Sequence, residues 1–206
     1  MFDSLLVQFV VLWAVIDPIG SIPVYLTKTA RLSIEDRRQV ALKSVLIASG
    51  ILLFFLVVVQ ALFELMQIPL TAFQIAGGLV LFIFALTMIF GEGKPEHEMK
   101  MHTNLSELAV YPLAVPSIAS PGAMMAIVML TDNHRFSFID QFITTLIMLL
   151  VLGITYVLFL MANRIQNLIG STGAAVISRV MGLILAAVAV NNILVGINDF
   201  YIQSLR

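Results

Sequence analysis

The chain reads as an all-α polytopic membrane protein, with six transmembrane helices in two inverted three-helix repeats and with helices one and four broken. Three observations predict this: a charge-poor composition, six long apolar runs, and a match of the chain to itself. Of 206 residues, 60% are apolar and only 11% charged, with a mean hydropathy of +1.04. A soluble domain carries about a quarter charged residues, so this surface is not built for water. The lipid bilayer is the implied partner. A net charge of −1 with no basic face excludes a nucleic-acid partner. The absence of cysteine excludes a disulfide framework and a thiolate metal site.

Crossing about 30 Å of hydrocarbon takes roughly 20 apolar residues in a helix. Six stretches qualify: 4–26, 44–63, 70–90, 108–130, 142–162 and 174–197. Barrel strands would alternate apolar and polar residues, whereas these runs are continuously apolar. The connections are short, so 1–206 is expected to be a single membrane domain. Met1-Phe2-Asp3 lacks a basic leader and the first run is too long for a signal core, so the first run is expected to be retained. Lys28, Arg31, Arg37, Arg38, Lys43, Lys94, Lys100, Arg164 and Arg179 fall on one face, and only Arg135 and Arg206 on the other. The richer face is expected to be cytoplasmic, which places both termini outside.

Displaced by about 103 residues, the chain meets itself at three landmarks. Pro18 falls on Pro121, and Gly50-Ile51 on Gly153-Ile154. With one extra residue, Gly78-Leu79-Val80-Leu81 falls on Gly182-Leu183-Ile184-Leu185. The expected division is repeat one at about 1–92, a linker at about 92–105, and repeat two at about 106–206. Three spans per repeat is an odd number, so the second would enter from the opposite side, as in many secondary transporters.

Helix one carries Asp17-Pro18-Ile19-Gly20-Ser21-Ile22-Pro23. Helix four carries Pro112 and then Pro116-Ser117-Ile118-Ala119-Ser120-Pro121-Gly122-Ala123. Proline removes an amide donor and glycine admits non-helical dihedrals. Backbone groups freed in this way must be buried in protein or face a wet cavity. Matched interruptions therefore point to a binding site, expected as two unwound stretches facing each other across a cavity. Its candidate residues are Asp17, Pro18, Gly20, Ser21, Ser120, Pro121 and Gly122, together with Asn191. A carboxylate near the bilayer centre costs about 2.5–3.5 kcal/mol and needs a partner. Asp17 has three open roles: holding a substrate ammonium, carrying a proton, or capping the second half-helix.

Asn191-Asn192 in helix six either joins helices by hydrogen bonds or lines the pathway. Gly77, Gly78 and Gly182 are expected to let helices approach closely, and Gln60 and Glu64 to reach the interface. The polar linker holds His97 and His102, five apart, and is expected to be a solvated connection with no metal. No phosphate loop, His-Glu-x-x-His or nucleophile elbow is present, so no enzyme and no cofactor are expected.

At the broken helices the sequence resembles the MarC family of bacterial inner-membrane proteins, which includes the SnatA-type small neutral amino acid transporters. The resemblance rests on 17–23, on Ile75-Ala76-Gly77-Gly78-Leu79-Val80-Leu81-Phe82, on 112–116 with 120–123, and on 179–186 through Gly196-Ile197. Ser21 stands where the family commonly has Asn, and Ser120 where it commonly has Gly. The resemblance implies a six-helix protein of the bacterial inner membrane related to amino acid exporters, without fixing the substrate. The leading expectation is a secondary transporter or exporter of small neutral amino acids such as alanine, glycine or serine, with H⁺ or Na⁺ as candidate coupling ions because Asp17 can titrate or coordinate. The alternatives are a channel-like pore for a small solute and a non-transporting stress-response accessory. Small residues on several helices leave a homo-oligomer open, without naming an interface.

Overall fold

The computed structural model describes residues 2–59, 62, 65–66, 70–90, 104–133 and 136–204. Gln60, Glu64, His97, His102, Arg135 and Arg206 lie outside these. Among the described residues the helices in chain order are α1 Phe2–Ile16, α2 Ser21–Thr29, α3 Ile34–Phe54, α4 Leu70–Phe90, α5 Leu105–Leu108, α6 Pro121–Leu130, α7 Phe138–Leu160 and α8 Ala162–Ser204, the last kinked at the non-helical Gly170. A wide π turn, Phe55–Val59, extends α3, and the irregular stretch Ala109–Ile118 joins α5 to the second break. Among the described residues there is no strand.

Two helices begin well before their apolar runs because polar caps extend them. Ser33 accepts the Asp36 amide at 3.1 Å and starts α3 ten residues ahead of the expected span. Ser137 and Asp140 form a reciprocal capping box that starts α7. Among the described residues four helices are long and apolar enough to cross a membrane: Leu5–Thr29, Ile34–Val59, Phe138–Leu160 and Ala175–Tyr201. The bent pair Leu105–Ile118 with Pro121–Leu130 supplies a fifth when taken as one span. In the remaining expected span, only the shorter stretch Gln74–Phe90 registers as an apolar helix. The protein is thus all-α and multi-pass, with four or five qualifying spans among the described residues where the sequence predicts six.

The interior is organised for lipid outside. Leu46, Val57, Ile83, Leu146, Leu150, Leu183 and Leu194 are all exposed, whereas Gln8, Ser44, Thr144 and Thr155 are buried. Thr144 Oγ1 donates to Gln8 Oε1 at 3.2 Å and links α7 to α1. The closest pairing joins α4 to α8, which run antiparallel. A Cβ on Gly78 would sit 3.0 Å from Ala189 O and 2.6 Å from Ile193 Cγ1. A Cβ on Gly182 would sit 3.0 Å from Ala85 O and 3.1 Å from Ile89 Cγ1. Each residue in the second set lies 104 positions from its counterpart in the first. Small residues are what permit such an approach in lipid, where apolar burial between helices supplies little drive.

The same offset recurs at the caps. Ser33 with Asp36 corresponds to Ser137 with Asp140. At an offset of 103, Asp17 with Gly20 corresponds to Ser120 with Ala123. Reciprocal contacts between antiparallel equivalents are what a two-fold axis lying in the membrane plane produces.

Candidate functional site

Both interruptions have local causes. Asp17 adopts φ 47, left-handed territory that Asp tolerates better than most residues. Its amide still completes α1 by donating to Trp13 O at 2.9 Å. Pro18 then has no amide to continue the ladder. The Asp17 Oδ1 accepts the Gly20 amide at 3.0 Å, one turn ahead of α2, while its carbonyl accepts the Ser21 amide at 3.1 Å. The second break is larger. Tyr111 and Val115 are extended, each followed by a cis peptide to Pro112 or Pro116, and the chain bends by 58° before α6. Ser120 caps α6 by accepting the Ala123 amide at 3.0 Å, with Pro121 at the first helical position.

The two breaks pack directly against each other. Ser120 Oγ donates to Val15 O, a terminal carbonyl of α1, at 3.1 Å. Ser117 Oγ donates to Ser21 Oγ at 3.2 Å, and Ser21 Oγ donates to Asp17 O at 2.9 Å and lies 3.4 Å from Ser117 O. Ser21, Ser117 and Ser120 are buried to 1% exposure or less. Ser120 therefore serves a carbonyl at the end of α1 where the helix stops, and the Ser117–Ser21 hydroxyl pair joins the two breaks. At these serines the two breaks touch directly rather than facing each other across a cavity, which differs from the sequence expectation. Serine is small enough to close the gap and polar enough to satisfy the carbonyls.

From α8, Ser178 Oγ donates to the Asp17 carboxylate, 3.0 Å from Oδ2 and 3.3 Å from Oδ1. A Cβ on Gly20 would run into both that carboxylate and the Ser178 hydroxyl, so glycine is required for α2 to meet α8. Gly122 packs under Phe84 of α4, whose Cδ1 would lie 2.6 Å from a Cβ there. The space beside Gly122, expected as part of a small pocket, is therefore occupied by the Phe84 ring. Asn191 does not join this group. It lies thirteen residues beyond Ser178 on α8, about 20 Å along the axis.

Asn191 instead lines a half-open cavity of about 460 Å³ between α1, α4, α6 and α8, together with Val7, Val11, Gln74, Asp132 and Asn192. Asn191 is exposed and Asn192 half-buried, and both side chains line the cavity. Val11 is six residues before Asp17, so the cavity begins about 9 Å from the first break, toward the N-terminal end of α1. Sequence reading missed Ser178, Gln74 and Asp132. The repeat held a usable signal, since Gln74 and Ser178 stand 104 apart. Among the described residues no group of three His, Cys, Asp or Glu side chains could hold a metal.

Fold and seam together define a multi-pass helical membrane protein whose two interrupted helices are packed break against break. The chain belongs to the MarC family: it matches the MarC family integral membrane protein description over residues 2–201. It is 35% identical to a UPF0056 membrane protein of Methanocaldococcus jannaschii, covering 93% of this chain and 95% of the relative. It is 32% identical to the UPF0056 membrane protein YvbG of Bacillus subtilis, covering 98% and 97%. It is also 32% identical to the UPF0056 membrane protein YhcE of Escherichia coli, covering 94% and 91%. These names state no substrate. No solved structure matches the chain.

Proposed function

We propose that the protein is a secondary transporter or exporter of small neutral amino acids, of the alanine, glycine and serine class, in the inner membrane. The observation that carries this reading is the buried seam of two interrupted helices, tied by single hydroxyls and set about 9 Å from a substrate-sized cavity. A purely structural contact between straight helices would not need two broken backbones. Interhelical hydrogen bonds in membrane proteins average about 0.6 kcal/mol each. A seam of a few such bonds is weak enough to open and re-form in each cycle. The reciprocal contacts at constant offset support two inverted halves that rock about the seam and expose it to each face in turn.

In this reading, the N-termini of α2 and α6 present the positive ends of their peptide dipoles to a substrate carboxylate. Asp17 faces its ammonium, or carries the coupling H⁺ or Na⁺. The termini lie outside and the loop 27–43 inside, following the basic residues. Counterflow of labelled alanine in proteoliposomes tests the reading. Saturable, trans-stimulated uptake is the expected result. Flux without counterflow would assign a pore instead, and no flux for any small neutral amino acid would leave the accessory role.

A further inference from the structure

At the opposite end of the helices from the cavity, the last turn of α2, the first turns of α3 and the end of α7 enclose a notch of about 220 Å³. Its lining includes Tyr25, Ile34, Arg37, Arg38, Leu160 and Asn163. The volume corresponds to roughly seven waters, enough for a phosphate group and the glycerol carbons attached to it.

The walls are rigid. The Tyr25 ring stacks on Phe159 with centroids 4.5 Å apart and planes 6° from parallel. Its hydroxyl donates to Arg37 O at 2.9 Å. Arg37 Nη2 donates to Ala30 O at 2.8 Å, which fixes the guanidinium, yet its buried Nε has no partner. Arg38 beside it is exposed. The nearby carboxylate of Asp36 is engaged by Ser33, whose hydroxyl donates to it at 2.8 Å. Neither arginine forms an ion pair among the described residues. Ile34 and Leu160, 74% and 45% exposed, form an apolar rim. Two guanidiniums with spare donors thus sit where an apolar helix surface gives way to a charged loop.

We propose that this notch holds the phosphodiester headgroup of an anionic phospholipid. The guanidiniums of Arg37 and Arg38 grip the phosphate oxygens through planar donor pairs. The acyl chains run down the exposed face of α7 past Leu160 and Val157, which is half-exposed. Basic pockets between membrane helices capture anionic headgroups in this way. Free phosphate would use the charge but leave the apolar rim unoccupied. The site does not depend on what the protein transports.

Thermal unfolding of the purified full chain in non-ionic detergent tests the proposal, titrated with phosphatidylglycerol, phosphatidylcholine, inorganic phosphate or glycerol 3-phosphate. Phosphatidylglycerol is expected to raise Tm saturably and phosphatidylcholine to leave it unchanged. Arg38→Gln, at an exposed position, should weaken the apparent affinity about fivefold. Arg31→Gln, on the same loop but outside the notch, should not. Arg37→Gln should weaken it at least as much, with retention of a phosphatidylglycerol adduct in native mass spectrometry as the readout should that variant be less stable. Equal shifts with the two phospholipids would overturn the proposal, as would equal losses from Arg31→Gln and Arg38→Gln. An inorganic phosphate shift matching that of phosphatidylglycerol would replace the lipid with a free anion.

Discussion

Replacing Asp17 by asparagine and by alanine separates what its charge does from what its oxygens do. Asp17 stands midway along the span Leu5–Thr29 and is buried. A carboxylate at the centre of a bilayer costs about 2.5–3.5 kcal/mol. Against this stand its cap on the Gly20 amide, worth about 1 kcal/mol, and its bond from Ser178, about 1.5–3 kcal/mol for a charged acceptor. Those two bonds are together of the same size as the cost of the buried charge. Asparagine keeps the acceptor for Gly20, tolerates the positive φ and removes the charge. Its stability should stay within about 1 kcal/mol of the parent. Alanine loses both bonds and strains the left-handed backbone by roughly 1–2 kcal/mol, while the charge cost is relieved. A net loss of about 1–2 kcal/mol is expected, or a few degrees in Tm. Both variants should lose counterflow. The assays are thermal unfolding in detergent and alanine counterflow in proteoliposomes. Full counterflow by Asp17→Asn would refute a role for the charge, and complete unfolding of Asp17→Ala would show that the carboxylate is structural.

Three further substitutions test other parts of the molecule. Gly182→Val drives a side chain into Ala85 O and Met88 at the α4–α8 contact, and should lower Tm by the equivalent of about 1–3 kcal/mol; Gly50→Ala, with nothing within 4 Å, should be neutral or stabilising by up to about 1 kcal/mol. Ser120→Ala removes the α6 cap and the bond to Val15 O, and should cost about 1.5–2 kcal/mol in thermal unfolding, with Ser120→Thr retaining most of it. Ala126→Phe fills part of the 460 Å³ cavity without touching the seam, so counterflow should fall at least tenfold; unchanged flux at normal Tm would remove the cavity from the pathway.

Where the helices lie was legible because hydropathy and proline act locally. The fourth apolar run was bounded at 108–130, and the break inside it falls at Ala119 and Ser120, beside the proline expected to cause it. Helix starts were placed too late at α3 and α7, because Ser33 and Ser137 cap charged turns that hydropathy alone discards. The close-approach roles of Gly78 and Gly182 were readable from size alone. Their reciprocal partners were not, because Ala189 and Ala85 mean nothing until the helices are paired.

The sequence by itself determined that the chain lives in a membrane, that it is built of apolar helices, and where two of them must break, since each of these follows from the chemistry of neighbouring residues. Only the tertiary structure decided that the breaks touch rather than enclose a space, that Ser178 meets Asp17, and that Asn191 lines a cavity well away from both. Those contacts join residues 96 to 161 positions apart. A hydroxyl finds a carbonyl at such separation only after helix packing has brought the two within 3 Å or so.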